Sequence, residues 1–162
     1  MRFSLVDQIL ELEKGKSITA VKNLSLAEEY LQDHFPGFAV MPGVLMVESI
    51  VQAGAWLMRY TNDFQYSTIL LKQTKAIRFN SFVTPGKQLR VSLTIQKWDE
   101  NLCTLKASSE VEGETAVSGR IVLEQFNLRD KTPSMAENDA ERIKDLQSQF
   151  GQLWNPNKQT TS

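Results

Sequence analysis

His34 is the one histidine of the chain. Histidine is the side chain whose ordinary pKa makes it a base near neutrality, and here it directly precedes a loop rich in Pro and Gly. Glu48 follows on what the pattern makes the first turns of a helix, with Met46, Val47, Ile50 and Val51 around it. A carboxyl group buried among such neighbours is desolvated, holds its proton more tightly and can donate it at pH 7. Between the two, Met41-Pro42-Gly43-Val44 opens the helix. Pro42 has no N–H, so Gly43 and Val44 carry the first free backbone donors, and the missing Cβ of Gly43 lets a carbonyl oxygen come close. Backbone donors at the positive end of a helix dipole suit an oxyanion. A base, an acid and an oxyanion site together predict proton abstraction beside a carbonyl, with loss or gain of a leaving group at the adjacent carbon.

The elements that must position these groups are marked along the chain. Leu5 to Glu13 and Ser17 to Asn23 are Val-, Ile- and Leu-rich runs around Lys14-Gly15-Lys16, which reads as a hairpin. Leu26 to Asp33 has room for one or two helical turns before the irregular Phe35–Gly43 stretch. From Val44 to Arg59 the sequence is apolar nearly all round, which predicts a buried helix, with Pro42 at its first position and Arg59 suiting its last turn. Strand-like runs follow at Thr68 to Lys72, Ala76 to Phe79, Gln88 to Trp98, Leu102 to Glu110 and Thr115 to Gln125. Turn signals stand at Pro85-Gly86, Asp99-Glu100-Asn101 and Glu112-Gly113-Glu114. In one of these runs Leu89, Val91, Leu93 and Ile95 alternate with polar residues, as in a half-buried antiparallel strand. One long buried helix with about six antiparallel strands is satisfied by an α+β architecture in which the sheet wraps the helix.

After residue 128 the composition changes. Residues 1–128 read as one domain, and 129–162 as an extension with an amphipathic helix over 137–154 and a disordered tail. Ser134 with Glu137, or Asn138 with Glu141, is placed to form a capping box. The helix is expected to dock on the sheet or on another subunit.

Composition removes several function classes. The chain has 162 residues, 18 basic against 19 acidic and a net charge of −1, which lacks the footprint of a dedicated nucleic-acid binder. A single cysteine, Cys103, and a single histidine exclude an intrachain disulfide and any Cys/His zinc cluster. Cys103 has no basic neighbour at catalytic spacing and reads as a buried structural thiol. Neither a signal-peptide pattern nor a membrane-length apolar run is present, so a cytoplasmic protein without membrane association is expected.

The segment from His34 to Gln52 resembles the signature of the β-hydroxyacyl-[acyl carrier protein] dehydratases of the FabZ type, H-F-P-G-x-P-V-M-P-G-V-L-x-x-E-x-x-x-Q. His34, Phe35, Pro36, Gly37, Val40, Met41, Pro42, Gly43, Val44, Leu45, Glu48 and Gln52 match in register. The first hairpin and the stretch Arg78-Phe79, Val83, Pro85-Gly86 and Gln88-Leu89 resemble further parts of the family, so that residues 3–126 are covered. Two departures stand out: Ala39 replaces a proline, and Asn80-Ser81-Phe82 replaces a commonly basic R-R-P.

That resemblance implies a hotdog fold and a homodimer, often assembled as a trimer of dimers, with sites at the subunit interface. It implies that His34 removes the α-proton of a β-hydroxyacyl thioester and that Glu48 of the second subunit protonates the departing hydroxyl. The Gly43 and Val44 amides would polarise the carbonyl, the Val40 carbonyl would orient the imidazole, and Gln52 would hold Glu48. Phe35, Met41 and Trp56 would line an apolar acyl tunnel, with no cofactor and no metal. The thioester is expected on acyl carrier protein or coenzyme A, and Lys72, Lys75, Arg78 and Lys87 would meet an acidic carrier protein. Glu at position 48, where the dehydratase/isomerase branch has Asp, favours a simple dehydratase. Two other readings are a hotdog acyl thioesterase, which would not need His34, and a non-catalytic acyl-thioester-binding scaffold.

Overall fold

Alternation in the sequence becomes alternation in the sheet: Leu89, Val91 and Leu93 point into the core, while the alternate positions Ser92 and Thr94 face outward. The computed structural model describes residues 3–33 and 37–158. It contains strands β1 (Gln8–Glu13), β2 (Ser17–Asn23), β3 (Thr68–Phe79), β4 (Gln88–Asp99), β5 (Leu102–Val111) and β6 (Glu114–Phe126), with helices α1 (Gly43–Thr61) and α2 (Ala136–Leu153). The strands form one antiparallel sheet in the order β1-β2-β4-β5-β6-β3. Helix α1 lies across its concave face, touching β2, β4, β5, β6 and β3. This is the hotdog arrangement, an α+β fold.

The turns follow the residues that permit them. The β5–β6 hairpin turns on Glu112-Gly113, both at positive φ (53° and 82°), the backbone that matches strand twist in a two-residue loop. The runs at Thr68 and Ala76, expected as separate strands, are one continuous edge strand. A bulge takes up the polar interval: Ala76 has φ 52° and the register with β6 shifts between Lys75 and Arg78. Gly119 of β6 makes this possible, because a Cβ there would stand 2.7 Å from Ile77 Cδ1 and 3.0 Å from the Ala76 carbonyl oxygen.

Both helices depart from expectation at their starts. Pro42 is the N-cap of α1 with ψ 141°, and the helix begins at Gly43. Helix α2 begins after Met135 with no side-chain cap; the capping box forms earlier, between Asn127 and Asp130, on a short 3₁₀ turn at Leu128–Asp130. Helix α2 touches the sheet at its edge strand β1. It lies against α1, with Phe150 stacked on Tyr60 (centroids 5.6 Å) and close to Trp56 and Phe64 (6.0 and 5.3 Å). The start of the expected disordered tail carries a 3₁₀ turn at Pro156–Lys158.

Asp139 pins the extension, a role the sequence did not suggest. It is almost fully buried, accepts the Ser67 hydroxyl at 2.5 Å, and accepts the Leu128 and Arg129 N–H groups at 3.0 Å each. Burial pulls its pKa up, but these hydrogen bonds outweigh burial and hold the carboxyl below its usual value.

Candidate active site

The loop toward His34 is fixed on both sides. Before it, buried Lys22 meets Glu28 at 2.9 Å and Asp7 at 3.5 Å, and Leu31 is buried on a 3₁₀ turn at Glu29–Leu31. After it, Val40 and Met41 are buried, and the Met41 N–H donates to the Val83 carbonyl at 2.9 Å. His34 and Phe35, expected as base and substrate contact, lie outside the described residues.

Helix α1 opens on the Pro42 carbonyl. The Leu45 and Met46 N–H groups donate to the Pro42 carbonyl, and among the described residues the Gly43 and Val44 N–H groups have no partner, as expected one turn short of the helical ladder. Val44 is 74 % exposed. The Phe79 ring from the end of β3 covers Gly43 so closely that a Cβ there would stand 2.9 Å from its Cε1. A side chain at 43 would have to displace that ring, which is 55 % exposed.

Glu48 departs from the full burial expected of it. It is half-buried and opens onto a cavity of about 690 Å³ between α1 and α2. The cause is helical periodicity: Met46, Ile50, Ala53, Gly54 and Leu57 face the core, whereas Glu48, Gln52, Ala55 and Arg59 line the cavity. A sequence apolar nearly all round conceals this stripe.

Gln52 carries more than the expected contact. Its Nε2 donates to Glu48 Oε1 at 3.3 Å and to the Phe3 carbonyl at 2.9 Å, while its Oε1 accepts the Leu5 N–H at 2.8 Å. It thus ties the N-terminal segment to the carboxylate. Trp56 lines the same cavity and packs in the core. Met41, expected to touch substrate, is a core residue of the single chain with its side chain almost wholly covered. The cavity is also not the apolar tunnel expected beside the helix, because Arg59, Asn138, Arg142 and Gln149 line it together with the apolar groups.

The four basic residues expected to meet a carrier do not form one free patch. Lys72, Lys75 and Arg78 lie on edge strand β3, where Lys72 meets Glu124 at 3.6 Å. Lys87 lies in the turn before β4 and meets Glu112 at 3.4 Å. Around the helix start the exposed side chains are instead aromatic, with Phe38 and Phe82 in an edge-to-face pair at 6.5 Å. Cys103 is fully buried, and burial pushes its thiol up to about 12, which makes it a poor nucleophile. No group of three metal-ligating side chains occurs among the described residues.

Comparison with known proteins decides the family. Residues 1–120 match the family model of the FabA-like domain. The 3-hydroxyacyl-[acyl-carrier-protein] dehydratase FabZ of Lactobacillus helveticus is 37 % identical over 116 residues, covering 72 % of this chain and 78 % of that protein. The FabZ of Janthinobacterium is 34 % identical over 136 residues, or 82 % and 87 % of the two chains. The chain belongs to the FabZ-type hotdog dehydratases.

Members of this family are hydro-lyases, and this chain is an enzyme of that class. Its fold is also that of the dehydratase heterocomplex ApeI:P from Xenorhabdus doucetiae (TM-score 0.66, 17 % identity, 82 % of this chain and 90 % of that one). A mutant of the fluoroacetyl-CoA-specific thioesterase FlK shares it too (TM-score 0.60, 12 % identity, 79 % and 98 %). The match to the family model ends at residue 120, within β6, and the helix that closes the cavity lies beyond it. No helix among the described residues is long and apolar enough to cross a membrane.

Proposed function

We infer that the chain dehydrates 3-hydroxyacyl thioesters, carried on acyl carrier protein in fatty-acid biosynthesis, to trans-2-enoyl thioesters. The observation that carries this reading is Glu48, fixed by Gln52 and open to a cavity, one turn along from a helix start with two unpaired N–H groups. The thioester carbonyl accepts from the Gly43 and Val44 amides, which stabilises the enolate-like charge that develops when the α-proton leaves. His34 takes that proton, with its imidazole oriented by the Val40 carbonyl. The bond from C3 to the hydroxyl then breaks, Glu48 supplies a proton to the departing oxygen, and water leaves.

The active unit is a homodimer. Strand β3 is a long edge strand whose Leu70, Leu71 and Phe79 are 53 %, 41 % and 55 % exposed, a surface that calls for a partner strand. Pairing through β3 brings the Phe79–Gly43 contact to the interface, so the His34 of one copy works with the Glu48 of the other.

The reverse reaction gives the test. Hydration of a trans-2-enoyl thioester, on acyl carrier protein and on coenzyme A, is followed by loss of the enoyl absorbance. Turnover by the wild type and its loss in His34→Ala is the expected result. Failure to turn over either substrate, in folded dimeric protein, would overturn the assignment. Mixed His34→Ala and Glu48→Gln subunits should regain part of the activity; none, after demonstrated exchange, would refute sites shared between subunits.

A further inference from the structure

The cavity beside α1 changes character along its length. Near Glu48 the wall includes Phe3, Val51 and Ala55, and farther along it includes Arg59 from α1 and Arg142 from α2. Arg59 follows Glu48 by eleven residues, a rise of about 16 Å along the helix. Its guanidinium lies over the Trp56 ring, Cζ 4.9 Å from the centroid, and its Nε is buried with no hydrogen-bond partner. Arg142 commits its Nε to the Ser67 carbonyl at 2.9 Å, which leaves its outer N–H groups for another acceptor.

Glu141 and Asp145 of α2 also line the cavity. Even so, neither arginine has a carboxylate within salt-bridge distance among the described residues. Burial first, and repulsion by Arg142 second, push the Arg59 guanidinium down to about 10. Two neighbouring guanidinium groups, one of them under-satisfied, are matched by an anion, and their planar forks fit carboxylate or phosphate. A plain alkyl chain would leave the buried Arg59 Nε unmatched.

We propose that Arg59 and Arg142 bind an anionic group that the thioester substrate carries away from its reacting carbons, so that the C-terminal extension takes part in substrate choice. This rests on the dehydratase reading above. Two parts of such a substrate can bear the charge: a carboxylate ending the acyl chain, or the phosphate of the pantetheine arm.

The experiment compares kcat/KM for hydration of three trans-2-enoyl thioesters of equal chain length. The first is a pantetheine thioester ending in methyl, the second a pantetheine thioester ending in carboxylate, and the third a 4′-phosphopantetheine thioester ending in methyl. The wild type should favour one of the anionic substrates over the neutral one by about tenfold, chiefly through KM, as expected for a charged hydrogen bond. Which one it favours identifies the source of the charge. Arg59→Met and Arg142→Gln should each abolish most of that preference, and Arg142→Lys should retain part of it. Arg142 lies on an exposed stretch of α2, so its variants probe binding without emptying the core. Equal use of all three substrates, or a preference that survives both substitutions, would overturn the proposal. Inertness toward all three and toward an enoyl group on acyl carrier protein would instead overturn the dehydratase reading itself.

Discussion

The two sides of α1 are built to opposite rules. Toward the sheet the helix presents Met46, Ile50, Ala53, Gly54 and Leu57, all buried, and packs so tightly that a Cβ on Gly54 would stand 3.1 Å from Leu93 and 3.2 Å from Leu123. Toward α2 it presents Glu48, Gln52 and Arg59 around a cavity that packing does not fill. Stability is concentrated on the first side, and the chemistry proposed above draws on the second. The second side can be polar because the first already buries enough apolar surface to hold the helix.

Substitutions on each side should separate these roles. The largest effect expected is that of Glu48→Gln, which keeps shape but removes the acidic proton. Hydratase activity should fall by about 10²- to 10⁴-fold, the usual contribution of a general acid, with little change in melting temperature. A matching loss of stability would show that Glu48 serves the fold. On the opposite side, Leu57→Ala should cost about 2–5 kcal/mol in denaturant unfolding, because it opens a cavity in a close-packed core. A cost no larger than that of a surface substitution would contradict the division of roles.

The extension provides finer tests. Phe150→Ala removes the ring wedged among Trp56, Tyr60 and Phe64 and should cost about 1–3 kcal/mol, less than a fully buried phenylalanine because the site is only half-buried. The smallest effect comes from acidification. Asp139 has a lower pKa folded than unfolded, so its contribution is complete above the ordinary aspartate value of about 3.9 and is lost as pH falls through the folded value. Hydrogen-exchange protection in α2, taken relative to the intrinsic rate at each pH, should therefore fall below about pH 4 in the wild type, and Asp139→Asn should weaken α2 already at neutral pH. An α2 equally protected in both proteins across that range would remove Asp139 from its anchoring role.

The sheet was legible because period-two alternation and glycine-bearing turns are local. Leu89, Val91 and Leu93 face inward as their spacing requires, and Gly15 and Glu112-Gly113 turn where expected. Edge strand β3 reads in sequence as two runs because the polar Gln73-Thr74-Lys75 separates them, and the bulge at Ala76 becomes visible only opposite Gly119 of β6. The helix start was misplaced by one residue for a similar reason: Pro suits N-cap and first turn alike, and only the extended ψ of Pro42 separates them.

At the site, the sequence by itself supplied the groups and their order: the His34 loop, the Gly43 and Val44 donors, and Glu48 followed one turn later by Gln52. Such features depend on residue type and short spacing. Tertiary structure decided what those residues face. It placed Glu48 on a cavity rather than in the core, gave Gln52 the N-terminal segment to hold, and set Phe79 over Gly43. It also brought Arg142 to Arg59 and sank Asp139 beneath Ser67. These are contacts between positions dozens of residues apart, fixed by how the helices lie on the sheet and on each other, and no local pattern encodes them.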